Sequence, residues 1–231
     1  MTESPDITIL VPALNEEATI GELLDRLLAL PVNAQILVMN NGSTDGTAEV
    51  LARYDGKIDV MTHAEKTGKG RSIRLALPRA KGTVVVIQDA DLEYEPEELP
   101  QLVEPILRGE VAVVYGSRFT KGLPRGMALP NKIVNVLLVW AVRLLFGQRL
   151  TDEATCYKVF RRDLLEKMEL TCDRFEFCPE VTAKAYRLGH SIKEIPIRYT
   201  PRTKLAGKKI RWTDAPEAFW TLLKHRFWKP N

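Results

Sequence analysis

Cysteine is scarce in this chain: Cys156, Cys172 and Cys178 are odd in number and form no Cys-x-x-Cys pair. That spacing argues against a disulfide framework and for reduced, packing thiols in a cytosolic protein. Net charge is also scarce, at +3, so charge alone makes no case for nucleic acid as a partner. Long apolar runs are missing. The longest, Ile133 to Phe146, is interrupted by Asn135 and Arg143 and is shorter than a bilayer span, while Met1 to Asp6 is short and polar, unlike an export leader. These absences predict a cytoplasmic chain, soluble or peripheral to a membrane rather than integral. There is no internal repeat and no low-complexity segment. With 231 residues and 45% hydrophobic content, the chain can bury a substantial core as one domain, with or without an appendage.

What the chain does have is a run from Gly82 to Glu93 in which Val84, Val85, Val86 and Ile87 lead into Asp89 and Asp91. A continuous apolar run bounded by glycine and acids predicts a strand buried on both faces, as in a parallel sheet with helices on each side. The two carboxylates then fall at its carboxyl end, where open α/β sheets bind their ligands. If the segment stays extended, Asp89, Asp91 and Glu93 point one way. Such an oxygen cluster suits Mg²⁺ or Mn²⁺ held against a phosphate. Two acids that end a strand and cap a helix at Glu97 would look the same.

In chain order, Ile7 to Val11 predicts a first strand ending at Pro12, and Glu17 to Leu30 a helix with Ile20, Leu23, Leu24, Leu27 and Leu28 on one face. Ile36 to Met39 predicts a second strand, followed by the turn-rich loop Asn40 to Thr47 and a helix through Leu51. A short strand follows at Ile58 to Met61. The basic loop Lys66 to Arg71 lacks the P-loop pattern but can reach a phosphate through Lys69, and opens a helix through Ala80. Helices are expected at 97–108, 131–146, 179–188 and 216–227, and strands at Val111 to Tyr115 and Ile192 to Tyr199. Pro196 marks the last strand as an edge. The 131–146 helix is apolar nearly all round, which suggests one face in the core and the other at a membrane interface. Aromatics among cations in the last helix fit the same interface or a docked terminal helix. From Arg198 to Lys229 cations far outnumber acids, which suits phosphate or an anionic surface.

Several short motifs occur in one order: Pro12 to Glu16, Asn40 to Thr47, Gly68-Lys69-Gly70, Asp89-Ala90-Asp91, Gly116 to Phe119, Asp152 with Tyr157-Lys158, and Glu194 to Ile197 followed by Arg202 and Lys208. On these the chain resembles the inverting family 2 glycosyltransferases of the GT-A fold, above all the dolichyl- and polyprenyl-phosphate sugar synthases, over about residues 7 to 210. The resemblance implies an α/β, Rossmann-like, mostly parallel sheet with helices on both faces. A catalytic domain would cover residues 1–210, with a basic amphipathic tail over 211–231. It implies that Pro12, Leu14, Glu16, Val38, Asn40, Lys69, Asp89 and Ala90 line a nucleotide-diphosphate sugar. Asp89 and Asp91, with Glu93, would hold the metal, and Arg118, Arg202 and Lys208 the acceptor phosphate.

Asn40 stands where that family usually has Asp. An amide offers a donor as well as an acceptor, which suits uracil better than guanine. A polyprenyl phosphate acceptor is already an anion, so the enzyme has mainly to position it, through Arg118, Arg202 and Lys208, and stabilise the departing diphosphate near Asp91. A sugar or glycerate hydroxyl would instead need a base, and the resemblance assigns that position to Asp152. The membrane domain that many relatives carry after the catalytic part is missing from the pattern. A nucleotide-sugar binding module without turnover is the alternative from another class.

Overall fold

The computed structural model describes residues 4–124, 126–201 and 214–230. Fifteen elements follow in chain order: β1 (Ile7–Ala13), α1 (Ile20–Leu28), β2 (Ala34–Asn40), α2 (Thr47–Ala52), β3 (Asp59–Thr62), α3 (Lys69–Ala76), β4 (Val84–Ile87), α4 (Leu99–Leu107), β5 (Val113–Ser117), α5 (Leu129–Phe146), β6 (Lys158–Arg161), α6 (Arg162–Lys167), α7 (Phe177–Arg187), β7 (Lys193–Pro196) and α8 (Ala215–His225). The strands form one seven-stranded sheet in the order β3-β2-β1-β4-β6-β5-β7. All pairings are parallel except those of β6, which runs antiparallel to both β4 and β5.

Alternation along the strands divides the core. Leu10, Leu37, Met39, Val85, Ile87, Val113, Tyr115 and Phe160 face one layer, where α3, α5, α6, α7 and α8 contribute Ile73, Leu138, Leu165, Val181 and Leu222. Ile7, Ile9, Val11, Ile36, Val38, Val84, Val86, Val114 and Val159 face the other, against Leu23, Leu24 and Leu27 of α1 and Leu102, Val103 and Ile106 of α4. All four residues of β4 are buried, as a strand covered on both sides requires. Each such side chain gains about 1.5–3 kcal/mol on leaving water, which fixes β4 at the centre.

Three expectations change. β1 does not stop before Pro12 but continues to Ala13. Its pairing with β4 ends at Leu10 opposite Ile87, so the missing Pro12 N–H faces a side where no strand is left to bond. β5 lies two residues later than its apolar run suggested. α5 begins at Leu129 and reaches 18 residues, with mean hydropathy 1.5, so by length and composition it is long enough to cross a membrane; 17% of it is buried in the protein. Asn135, Leu138 and Val142 are its buried residues, spaced for one face. The expected 210/211 boundary lies outside the described residues.

A seam joins the two halves of the chain. The Gly70 N–H donates to Arg174 O at 3.1 Å and Arg71 N–H to Asp173 O at 3.0 Å. A Cβ on Gly68 would lie 2.2 Å from Asp173 O, and one on Gly70 2.9 Å from Cys172 O, so backbone meets backbone only because both residues lack side chains.

α8 docks on α7 through a buried polar cluster. Lys184 Nζ donates to Glu180 Oε1 at 2.7 Å, and His225 Nε2 lies 3.6 Å from the same oxygen. Burial pushes the His225 imidazole down to about 4, with Glu180 opposing the shift and Lys184 and Lys224 adding to it. An unfolded chain protonates this histidine near its ordinary value of 6.5. Between those values the unfolded state binds a proton that the native state does not, so stability falls as pH drops from 6.5 toward 4. Urea midpoints taken at pH 7.5 and 4.5 should therefore differ less in His225→Gln than in wild type.

Candidate active site

Because β6 is antiparallel to β4 and β5, those two strands are parallel to each other and to β1, β2 and β7. The carboxyl ends of all five strands, and the loop entering β6, therefore meet at one edge of the sheet. All the expected site residues within the described chain come from these ends or from the start of α3.

On the β1–β2 side two loops are zipped together. Asn15, at φ 53°, receives its geometry from both directions: its N–H donates to Ser43 Oγ at 3.0 Å and its Oδ1 accepts from Thr44 N–H at 2.8 Å. The Glu16 N–H donates to Thr47 Oγ1 at 2.9 Å, and the Gly46 N–H to Glu17 Oε2 at 3.0 Å. Pro12, near the end of β1, and Leu14, on this loop, are half-buried, and Val38 is fully buried in β2. Asn40, 3% exposed, accepts from Ser43 N–H through Oδ1 at 3.2 Å. That bond assigns the amide's orientation and leaves the Nδ2 donors for another partner.

The Thr19 hydroxyl lies 3.1 Å from Glu16 Oε2 and 2.8 Å from the Ala90 carbonyl, tying this loop to the Asp89–Asp91 turn. Here the extended geometry expected from the sequence is corrected. β4 ends at Ile87, Leu92 sits at φ 54°, and Asp91 Oδ1 accepts from Glu93 N–H at 3.2 Å, closing a side-chain turn. The alternation that would have aligned three carboxylates is lost. No group of three or more His, Cys, Asp or Glu suited to a metal occurs among the described residues. The Glu93 carboxylate instead bonds the Tyr199 hydroxyl, which burial and that carboxylate push up.

Lys69, the first residue of α3, forms an ion pair with Asp89. Burial works against its charge, but Asp89 more than compensates and holds the ammonium above its ordinary range. The glycine loop thus delivers its lysine to the acidic turn.

On the β5 side Arg118 and Asp152 grip each other. Arg118 Nε donates to Oδ2 at 2.7 Å, Nη2 to Oδ1 at 2.8 Å and its backbone N–H to Oδ2 at 3.0 Å. The Asp152 side chain is 0% exposed and that of Arg118 9%. Burial opposes the Arg118 charge, and Asp152 restores it well above the usual range. The guanidinium also lies 5.2 Å from the Tyr199 ring centroid. Both oxygens of the residue expected as a base accept from Arg118. Arg202 and Lys208 lie outside the described residues.

Several residues absent from the expected site sit at its edge. Lys158 is fully buried, its Nζ 2.8 Å from Glu153 O and 3.4 Å from the Tyr115 ring centroid, and burial lowers its pKa. Glu153, Asn135 and Glu194 flank Asp152. Of these, Lys158 and Glu194 stood inside the ordered motifs without a site role, and Asn135 carried a signal of its own: a lone amide in an apolar helix.

A nucleotide-binding α/β sheet with an Asp-x-Asp turn at its ligand edge is the layout of the GT-A class. Residues 8–169 match the pattern described as Glycosyl transferase family 2, and the chain belongs to that family of enzymes. It is 29% identical over 227 residues to the polyprenol monophosphomannose synthase of Mycolicibacterium smegmatis, covering 92% of this chain and 85% of the relative. Against the undecaprenyl-phosphate mannosyltransferase of Micrococcus luteus identity is 29% over 219 residues, covering 87% and 88%. The low-salt glycan biosynthesis hexosyltransferase of Haloferax volcanii is 29% identical over 204 residues, 86% of this chain, and the chain spans about half that relative's length (49%). Among solved structures, glucosyl-3-phosphoglycerate synthase from Mycobacterium tuberculosis in complex with UDP superimposes with a TM-score of 0.74 at 22% identity, over 96% of this chain and 80% of that one. At that identity the likeness by itself shows the fold.

Breaking the buried pair should be costly. Asp152→Asn leaves an uncompensated guanidinium and should lose about 3 kcal/mol of unfolding free energy in urea titrations. A loss below about 1 kcal/mol, the range of exposed pairs, would contradict the burial described here.

Proposed function

We propose that the enzyme transfers a sugar from a UDP-sugar to a polyprenyl phosphate at a membrane surface on the cytoplasmic side. The Arg118–Asp152 fork carries this choice. A hydroxyl acceptor needs a base with an oxygen turned toward it. Asp152 is fully buried with both oxygens already bonded to Arg118, whereas Arg118, with five N–H groups, keeps donors beyond the two side-chain bonds to Asp152. A guanidinium held in place suits a phosphate that needs positioning and no deprotonation. The relatives named for polyprenol and undecaprenyl phosphate support the same acceptor. Transfer to a soluble or glycan hydroxyl with Asp152 as base remains the second reading, supported by the solved neighbour's name for a phosphoglycerate product.

In the proposed reaction an acceptor phosphate oxygen bonds to the anomeric carbon, while the bond from that carbon to the diphosphate breaks and UDP leaves with the electron pair. Arg118, together with Arg202 and Lys208, holds the acceptor in line. Pro12, Leu14, Glu16, Val38 and Ala90 frame the nucleotide. Asp89 and Asp91 supply two hard oxygen donors, a set that fits Mg²⁺ or Mn²⁺ completing its shell with diphosphate oxygens and water. The solved neighbour's complexes with Mn²⁺ and UDP-glucose support this assignment. Bound there, the metal would stabilise negative charge on the leaving diphosphate. Lys69 adds a fixed cation beside Asp89.

Asn40 supports the uracil preference. Its Oδ1 is already bonded to Ser43, so the base meets N–H donors, which pair with uracil carbonyls and oppose the N–H edge of guanine. Membrane attachment is supported by exposed Leu129, Leu137, Trp140 and Leu144 on α5, Trp220 on α8 and Phe227 just beyond it. Arg143 stacks on Trp140 and Arg226 on Phe227, the amphipathic pairing favoured at headgroup level. Residues 1–210 would form the catalytic unit and 211–231 the surface-attached tail.

The test is transfer of label from UDP-glucose, UDP-galactose, UDP-N-acetylglucosamine and GDP-mannose, with Mg²⁺ or Mn²⁺, into an organic phase containing undecaprenyl phosphate. Label should enter that phase from a UDP-sugar. UDP release with label left in water would instead favour a hydroxyl acceptor. For the base, Asn40→Asp should shift the GDP-to-UDP affinity ratio toward GDP by about 10-fold or more, the scale of one well-matched hydrogen bond. Tighter wild-type binding of GDP than of UDP would sink the assignment.

A further inference from the structure

α5 is apolar on its outer face, yet one of its three buried residues is an amide. Asn135 is 1% exposed, and each atom of its head group is used. Nδ2 donates to Thr151 O at 3.2 Å, and Oδ1 accepts from Glu153 N–H at 3.1 Å and Ala154 N–H at 3.0 Å. From the opposite side, on edge strand β7, Glu194 Oε1 accepts from Thr151 Oγ1 at 2.9 Å and Asp152 N–H at 2.9 Å, and Oε2 from Thr151 N–H at 2.8 Å.

The segment between them, 151–154, belongs to neither helix nor strand, and Asp152 and Glu153 within it are buried. Irregular backbone out of water must find partners from elsewhere, and here they come from these two side chains. The same segment carries the carboxylate that binds the Arg118 side chain and backbone N–H. A leucine would complete the apolar face of α5 as well as Asn135 does, so helix packing alone gives no reason for an amide.

We propose that Asn135 and Glu194 are positioning residues that clamp the 151–154 loop from two sides and thereby set the direction of the Arg118 guanidinium. This rests on the reading that Arg118 meets the acceptor phosphate. Neither residue touches substrate in this scheme. A displacement of about 1 Å in such a group costs on the order of 100-fold in rate.

The experiment uses the full chain with Asn135→Leu, Asn135→Asp and Glu194→Ala, and reads two quantities. The first is amide hydrogen exchange at Arg118, Glu153 and Ala154, which does not depend on any acceptor. In Asn135→Leu all three amides should exchange faster, while Asn135→Asp, which keeps the acceptor oxygen, should restore Glu153 and Ala154. The second is the Michaelis constant for undecaprenyl phosphate against the affinity for UDP. The former should rise by about 10- to 100-fold and the latter stay unchanged. Faster exchange at Glu153 and Ala154 with Arg118 unaltered would overturn the proposal. An equal loss of UDP and acceptor binding would also overturn it, as general loosening. If Asn135→Leu does not fold, Glu194→Ala, which removes both acceptor oxygens, reads the same loop from the edge strand, with faster exchange at Asp152 and Arg118 expected and an unchanged pattern overturning the proposal. Should wild type transfer nothing to the lipid, the acceptor reading fails alone, and exchange at Arg118 still decides the clamp.

Discussion

A guanidinium and a carboxylate withdrawn together from water constrain the second half of this molecule. Neither Arg118 nor Asp152 can move without leaving the other charge unpaired in a low-dielectric interior. The loop that bears Asp152 must enter β6 at the same sheet edge where β5 delivers Arg118, and this is achieved by inserting one antiparallel strand between two parallel ones. Tyr199, Glu93 and Tyr94 then fill in around the pair. This side of the ligand edge is thus assembled from strand ends far apart in sequence, and electrostatics holds it.

The β1–β2 side works differently. There the loops after β1 and β2 exchange neutral hydrogen bonds through Asn15, Ser43, Thr44 and Thr47, each worth roughly 1 kcal/mol. Lys69 and Asp89 join the glycine loop to the acidic turn with a partly buried ion pair. One side of the ligand edge is therefore framed by many weak bonds, and the other by a few strong ones.

Much of this was legible in the residues. The β-branched run before Asp89 predicted a central strand buried on both faces, the apolar spacing of Ile20, Leu23, Leu24 and Leu27 predicted α1, and Pro196 predicted an edge. What escaped was direction and pairing. Nothing in Lys158 to Arg161 says that the strand is antiparallel, and its first residue reads as polar because the charge of Lys158 is met by the Tyr115 ring and a carbonyl rather than by water. Glu93 was aligned with Asp89 and Asp91 on the assumption of extended backbone, which the left-handed Leu92 removes. The pairing of Asp152 was not legible because its guanidinium lies 34 residues away. Asn135 interrupted an apolar run and was counted as a defect in a span, although a buried amide in such a helix is a demand for partners.

The seam of Gly68 and Gly70 against residues 172–174 bears on motion. Backbone hydrogen bonds cross it and neither glycine brings a side chain to it, so the loop that carries Lys69 is bolted to the segment before α7. Whatever enters beside Lys69 meets a fixed edge there, more like a gauge than a jaw.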